Sequence, residues 1–170
     1  MKVLIVDMRD TGNEMEAIRQ TLEWFEHTVM KVAVGRPRHF MEVLRGDRGT
    51  DFDVMIISGH GDEGAFLVPE LAAEIYEPDE PRDRLFRADE VRKCLKLENK
   101  IIMSLCCTTG SKEMAEVFSE KNEYYAYKGY PDGDQALKDV VAWFYRHRES
   151  DETETWFCFK NGGAEVVDQA

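Results

Sequence analysis

The sequence predicts a single α/β domain, residues 1–170, with a mainly parallel sheet of six strands and helices on both faces. Three observations favour this fold class. Short apolar segments alternate along the chain with segments of helical periodicity, which is the pattern of βα units. The apolar segments are hydrophobic almost throughout, as strands are when both faces of their sheet are buried. The chain has 170 residues, 43% of them hydrophobic, a size that suits one domain with a substantial core.

The first half of the chain supplies three strands. Residues 2–7 form a short apolar run that ends at an acid, which predicts a buried strand and not an export signal. Apolar side chains then recur on one helical face, and valine-rich and fully apolar segments follow. In order, we predict a strand at 2–7, a helix at 13–27, a strand at 28–34, a short helix around Phe40, Val43 and Leu44, and a strand at 53–58.

The second half begins with a less regular region and then resumes the alternation. Residues 66–68 suggest a hairpin strand, and the acidic, proline-broken residues 77–81 predict an exposed loop. The remaining predicted elements are a helix at 88–97, a strand at 100–105, a helix at 111–119, a strand at 124–128, a long helix capped by Asp134, and a strand at 155–160.

Charge and composition exclude several function classes. The formal net charge is −12, so the surface repels nucleic acid and anionic membranes, and neither is an expected partner. No apolar run reaches the roughly 20 residues that span a bilayer. We therefore expect a cytoplasmic protein whose four cysteines are thiols. The histidines and cysteines lack metal-ligand spacing, and no phosphate-binding glycine loop is present, so we expect no metal and no cofactor.

Two loops carry residues suited to catalysis. Residues 58–64 read Ser-Gly-His-Gly-Asp-Glu-Gly and follow the third predicted strand; residues 106–111 read Cys-Cys-Thr-Thr-Gly-Ser and follow the fourth. Adjacent parallel strands end at the same sheet edge, so His60 and a cysteine can meet there as base and nucleophile. A thiol at the start of a helix has a lowered pKa. Each loop also has a plain structural interpretation, a glycine-rich turn or two small core cysteines.

Together the two loops resemble the caspase-like cysteine peptidase superfamily. The His-Gly segment at 58–61 is similar to the superfamily's histidine motif, and the cysteine pair follows about 50 residues later, as in caspases. Residues 88–110, a helix and a strand followed by Cys-Thr-Thr-Gly, are similar to the pattern of CHAT domains. Residues 130–145 resemble the end of a CHAT domain. The resemblance therefore covers most of the chain, at the level of the order of its strands and helices.

The resemblance implies a fold and a site. The fold is a three-layer caspase-like sandwich whose six strands have the order 2-1-3-4-5-6. Cys107, which is followed by Thr109 and Gly110, is the nucleophile of peptide-bond hydrolysis, and His60 is its general base. The backbone N–H groups of Gly61 and Cys107 form the oxyanion hole. Cys106 is then a core residue at the strand end, although the sequence alone leaves open which sulfur is exposed.

Substrate recognition and control follow from the same comparison. Caspases place an arginine after the first strand to bind an acidic substrate side chain, and metacaspases place an acid there for a basic one. Arg9 and Asp10 are therefore rival substrate-binding residues, and Lys128 is a third. Only residues 111–123 separate the nucleophile loop from the next strand. We expect no internal maturation cleavage, and activation by a protein partner or a second copy of the chain.

Two other classes of protein fit parts of the sequence. One is a catalytically inactive member of the same fold that acts as a binding or scaffold module. The other is a degenerate receiver-like signalling domain, for which the first strand and Lys128 are suggestive. A receiver requires a phosphorylatable acid after its third strand, where this chain has Ser58, Gly59 and His60. Phosphorylation by acetyl phosphate would distinguish a receiver from a peptidase and from a scaffold module.

Overall fold

Strands and helices alternate along the chain as the sequence predicts. The computed structural model describes residues 1–145, 157–160 and 163–164. The helices are α1 (Glu14–Trp24), α2 (Pro37–Arg45), α3 (Ala88–Cys94), α4 (Lys112–Ser119) and α5 (Gly133–Tyr145). The strands are β1 (Lys2–Asp7), β2 (Thr28–Ala33), β3 (Val54–Ser58), β4 (Gly61–Asp62), β5 (Ala65–Leu67), β6 (Leu85–Phe86), β7 (Ile101–Ser104), β8 (Glu123–Ala126), β9 (Phe157–Lys160) and β10 (Gly163–Ala164).

The main sheet has the order β10-β9-β8-β7-β3-β1-β2. Strands β2, β1, β3, β7 and β8 are mutually parallel, and β9 and β10 are antiparallel additions at one edge. The order differs from the predicted 2-1-3-4-5-6 because β4, β5 and β6 intervene in the chain and because β10 adds a seventh strand. The six long strands nevertheless keep the predicted relative positions. Residues 155 and 156 of the sixth predicted strand lie outside the described part of the chain.

Helices cover both faces of this sheet, as predicted. Alternate residues of each central strand enter different clusters: Leu4 packs with α2, α3 and α4 on one face, whereas Ile5 packs with α1 and α5 on the other. The same alternation holds along β3, where Ile57 and Ile56 face opposite clusters. Burial on both faces explains why residues 3–6 of β1 and 54–57 of β3 are apolar without interruption.

A second, smaller sheet extends from the end of β3. It contains β4, β5 and β6 in antiparallel order. Phe66 of β5 and Phe86 of β6 are fully buried, and each packs edge-on against Phe40 of α2. These contacts fix the hairpin, and with it the loop that carries His60, to the body of the domain.

The loop between β5 and β6 is not the fully exposed segment that the sequence predicts. The Glu80 side chain is 0% exposed and accepts hydrogen bonds from the Arg36 guanidinium at 2.7 and 2.6 Å. The backbone N–H groups of Arg38 and Glu77 donate to the same carboxylate at 3.0 and 2.8 Å. Four donors compensate for the burial of one charge. The carboxylate therefore ties this loop to the start of α2.

No helix within the described residues has both the length and the apolar character needed to traverse a lipid bilayer.

Candidate active site

The two loops identified from the sequence lie at one edge of the main sheet. Strands β3 and β7 are hydrogen-bonded neighbours and run parallel, with Ile57 opposite Ser104. Their carboxyl ends therefore point the same way, and the His60 loop and the Cys107 loop leave the sheet side by side. Ligands of open α/β sheets bind at this end of the strands.

A backbone contact joins these loops directly. A Cβ atom added to Gly61 would lie 2.1 Å from the carbonyl oxygen of Cys107, so only glycine permits this approach. Further along the same loop, the Gly64 N–H donates to Thr108 Oγ1 at 3.1 Å. Ser111 Oγ donates to the Gly64 carbonyl at 3.4 Å. The structure thus brings together two segments that are far apart in sequence.

The imidazole of His60 is exposed and is oriented by a backbone group. Its Nε2 lies 3.1 Å from the carbonyl oxygen of Asp10. Because a carbonyl oxygen only accepts hydrogen bonds, Nε2 carries the proton in this arrangement. The other ring nitrogen, Nδ1, is then the one that can accept a proton.

The turn that presents the Asp10 carbonyl has an unusual backbone. Arg9 and Asp10 are consecutive non-glycine residues with φ of 73° and 64°, in the left-handed region that costs free energy for such residues. The Arg9 N–H donates to Asp7 Oδ1 at 2.9 Å, and the Met8 N–H donates to the Ser58 carbonyl at 2.8 Å. The first bond closes the turn on itself, and the second holds it against the end of β3, where the His60 loop begins.

Cys107 is partly exposed, but it is not at a helix N-terminus as the sequence suggests. Helix α4 begins at Lys112, with Ser111 as its N-cap, and Thr108 adopts a left-handed φ of 59° that starts a separate turn. The lowered thiol pKa expected from a helix dipole is therefore wrong. Partial burial raises the pKa of Cys107, a hydrogen bond from its own backbone N–H opposes that rise, and the nearby carboxylates of Glu14 and Asp62 raise it further, so that the net shift is upward. The resting sulfur is a neutral thiol that needs a base.

Cys106 is a core residue. It is 0% exposed, and burial raises the pKa of its thiol far above the usual range. Its Sγ lies 3.4 Å from the position that a Cβ on Gly59 would occupy, which places it beneath the His60 loop. Of the two adjacent sulfurs, Cys107 is the accessible one.

A buried hydrogen-bond network fixes the turn that contains Cys107. Thr109 Oγ1 donates to the Cys106 carbonyl at 2.8 Å and accepts from Ser104 Oγ at 2.7 Å. The Tyr124 hydroxyl donates to the Thr109 carbonyl at 3.1 Å. Because all these partners are buried, the network holds the turn rigidly.

The two N–H groups expected to form an oxyanion hole remain candidates for that role. The Leu67 N–H donates to the His60 carbonyl at 3.0 Å, which makes Gly61 and Phe66 a non-hydrogen-bonded pair. The Gly61 N–H therefore points away from β5. Among the described residues, no other residue accepts a hydrogen bond from the Cys107 N–H.

A cleft of about 290 Å³ opens beside His60. Two of the three predicted substrate-binding residues, Arg9 and Asp10, line it. Lys128 is exposed on the loop after β8 and is not among the described residues that line this cleft. The lining also includes hydrophobic and charged residues that the sequence did not indicate: Met8, Leu67, Val68, Pro69, Glu70 and Arg84.

A carboxylate that sequence reasoning missed lies at the same sheet edge. Glu14 is the first residue of α1 and is partly buried, and its Oε1 accepts a hydrogen bond from Ser58 Oγ at 2.8 Å. Burial raises the pKa of Glu14, whereas the Ser58 hydroxyl and the charge of His60 lower it. An acid in the first turn of a helix is common, so only its position in the fold distinguishes Glu14.

Replacing Gly61 with alanine tests the contact between the loops. The new Cβ would overlap the Cys107 carbonyl oxygen, so backbone must move, and we expect a loss of about 1–3 kcal/mol in the free energy of unfolding. Gly129→Ala is the matched control, because nothing lies within 4 Å of its added Cβ. Equal melting temperatures for the two variants would show that the loops do not meet as described.

Comparisons with known proteins do not assign the chain to a family. No protein-family model matches the sequence, and no curated protein matches it at a significant level. A flavodoxin from Streptococcus pneumoniae TIGR4 is one solved structure with some similarity. It has 12% sequence identity and a TM-score of 0.37, over 85% of this chain and 97% of the flavodoxin. A similarity this low supports no conclusion about function.

Proposed function

We propose that this protein is a cysteine endopeptidase of the caspase-like type, with Cys107 as nucleophile and His60 as general base. The observation that carries the proposal is the backbone contact between Gly61 and Cys107, which joins the histidine loop to the loop of the accessible thiol. The orientation of His60 by the Asp10 carbonyl supports it, because that bond leaves Nδ1 available as the base. The four free thiols agree with action in a reducing cytoplasm.

In the proposed reaction, Nδ1 of His60 takes the proton from the Cys107 thiol as the sulfur attacks the carbonyl carbon of a peptide bond. The π electrons of that carbonyl move to its oxygen, where the N–H groups of Gly61 and Cys107 stabilise the negative charge. The tetrahedral intermediate collapses to a thioester, and the leaving amine takes the proton from His60. His60 then takes a proton from a water molecule as the water oxygen attacks the thioester carbon. The C–S bond breaks, the carboxylic acid product leaves, and the departing sulfur takes the proton from His60 to restore the thiol.

The substrate is a peptide or protein segment whose side chain enters the cleft beside His60. Arg9 suits an acidic side chain and Asp10 a basic one, and both line this cleft. Lys128, on the neighbouring loop, remains a third candidate. Control by a protein partner or a second copy fits the short connection after Cys107, most of which is the packed helix α4.

The test is covalent capture by peptidyl acyloxymethyl ketones with acidic, basic and apolar residues at the reactive end. We expect the wild-type protein to be labelled at Cys107. Probes with one class of residue at the reactive end should label it more strongly than the other probes. Labelling should be lost in Cys107→Ala and reduced in His60→Ala. An unlabelled wild type, even with candidate activating proteins present, would contradict the proposal and favour the catalytically inactive scaffold module.

A further inference from the structure

An acid in the first turn of α1 is stabilised by the helix dipole, but the dipole does not explain why the Glu14 side chain is turned into the protein. Its carboxylate turns inward at the helix start and is bonded by the hydroxyl of Ser58, the last residue of β3, which is 0% exposed. Ser58 Oγ also lies 3.2 Å from Thr11 Oγ1. On the other side, a Cβ at Gly133 would lie 3.4 Å from Glu14 Oε2. The carboxylate is thus held between the ends of β1 and β3 and the start of α5.

The neighbouring acid on the same helix behaves differently. Glu16 accepts hydrogen bonds from the side chains of Arg19 and Gln20, which lie one turn along α1. Its charge is balanced on the helix surface. Among the described residues no cation bonds to Glu14, and the neutral Ser58 hydroxyl is its side-chain hydrogen-bond partner. Partial burial of a carboxylate with a single neutral donor costs free energy, and groups in such environments concentrate at functional sites.

Two hydrogen bonds tie Glu14 to the segment that carries His60. Ser58, which donates to Glu14 at 2.8 Å, lies two residues before His60. The Asp10 carbonyl that orients His60 at 3.1 Å lies four residues before Glu14.

In agreement with this placement, the charge of His60 lowers the pKa of Glu14, and the charge of Glu14 raises the pKa of the Cys106 and Cys107 thiols. Asp62 is the other acid that acts on Cys107. A negative charge at this point disfavours a resting thiolate and favours a protonated imidazole.

We propose that Glu14 is a positioning residue of the peptidase site, whose carboxylate, held by Ser58, stabilises the imidazolium that His60 becomes when it takes the Cys107 proton. This inference rests on the proposed function. During attack the sulfur passes from neutral thiol to neutral thioester, so the carboxylate opposes no lasting charge on it. The imidazolium persists until the amine leaves, and its stabilisation lowers the barrier.

The role predicts opposite changes in two rates when Glu14 is replaced with glutamine. Alkylation of Cys107 by iodoacetamide at neutral pH should become faster, because removing the negative charge lowers the thiol pKa and increases the thiolate fraction. Hydrolysis of the peptide sequence best captured by the acyloxymethyl ketone panel should become slower by about tenfold or more. A defect in folding alone would not change the alkylation rate and the hydrolysis rate in opposite directions.

Two further variants serve as controls. Glu16→Gln makes the same chemical change on the same helix and should leave both rates near wild type. Ser58→Ala removes the hydroxyl whose hydrogen bond lowers the pKa of Glu14, so it should change both rates in the same directions as Glu14→Gln, but less. Alkylation sites are assigned by peptide mapping, and melting temperatures show which variants are folded.

The outcomes separate this inference from the proposed function. An active enzyme in which Glu14→Gln changes neither rate, or lowers both together, overturns the role of Glu14 and leaves the peptidase proposal standing. A wild-type protein that cleaves no peptide removes the proposed function and the catalytic role of Glu14 with it. Faster alkylation in Glu14→Gln would then show only that the carboxylate acts on the thiol.

Discussion

Replacing Cys107 with alanine is expected to lower peptide hydrolysis by a factor of about 10³ or more, because the covalent intermediate cannot form. His60→Ala should cause a loss of similar order, since the raised pKa of Cys107 leaves the sulfur as a thiol without its base. The measurement is kcat/KM for the best peptide from the acyloxymethyl ketone panel, with thiol content determined for each variant.

The double variant and the neighbouring sulfur provide the controls. The effects of substituting residues that act as one unit do not add. The variant that carries both Cys107→Ala and His60→Ala should therefore have a kcat/KM only slightly below that of either single variant. Cys106→Ala should retain most of the activity, because that sulfur is buried in the core. Loss of activity in Cys106→Ala with retention in Cys107→Ala would assign the nucleophile to the other cysteine.

The largest expected effect on stability is at Glu80. Glu80→Ala removes the partner of Arg36 and leaves the N–H groups of Arg38 and Glu77 without their acceptor. We expect a loss of about 3 kcal/mol in the free energy of unfolding at pH 7. Glu74→Ala, in the same loop and exposed, should change it little. Urea unfolding followed by circular dichroism measures the stability of both variants. A Glu80→Ala midpoint equal to that of wild type would contradict the buried hydrogen bonds of Glu80.

The contribution of Glu80 should also depend on pH. Hydrogen bonds from the Arg36 guanidinium lower the pKa of this carboxyl, although burial opposes them. A carboxyl whose pKa is lower in the folded than in the unfolded state stabilises the protein above its ordinary pKa, and this contribution disappears as pH falls through the folded-state value. The difference between wild type and Glu80→Ala should therefore be greatest near neutral pH and shrink in acid.

The central sheet could be predicted from sequence because its strands are buried on both faces. Residues 54–57 are all apolar and all buried, so length and composition alone indicate such a strand. The small second sheet was largely missed, since β4 and β6 have two residues each and leave no periodicity. Glu80 was misjudged because an acidic, proline-containing segment has the composition of an exposed loop, and its partner Arg36 is remote in sequence.

The site was predicted in part for related reasons. The meeting of the two loops followed from adjacent parallel strands, which β3 and β7 are. The helix at 111–119 was predicted to within one residue, but Cys107 was wrongly placed at its N-terminus, because the sequence does not reveal the separate turn with a left-handed Thr108. Glu14 was missed because its significance depends on Ser58 and His60, which only the folded chain brings near it.

The bond between His60 and Asp10 uses the backbone carbonyl of residue 10 and not its side chain. A substitution at position 10 that preserves the turn therefore leaves the imidazole oriented, while it changes the chemical character of the adjoining cleft. In the proposed peptidase, orientation of the base and selection of the substrate are thereby separated at a single position. Position 10 of that peptidase can therefore change the ligand preference of the cleft without loss of the base's orientation, among residues that tolerate the left-handed backbone at this position.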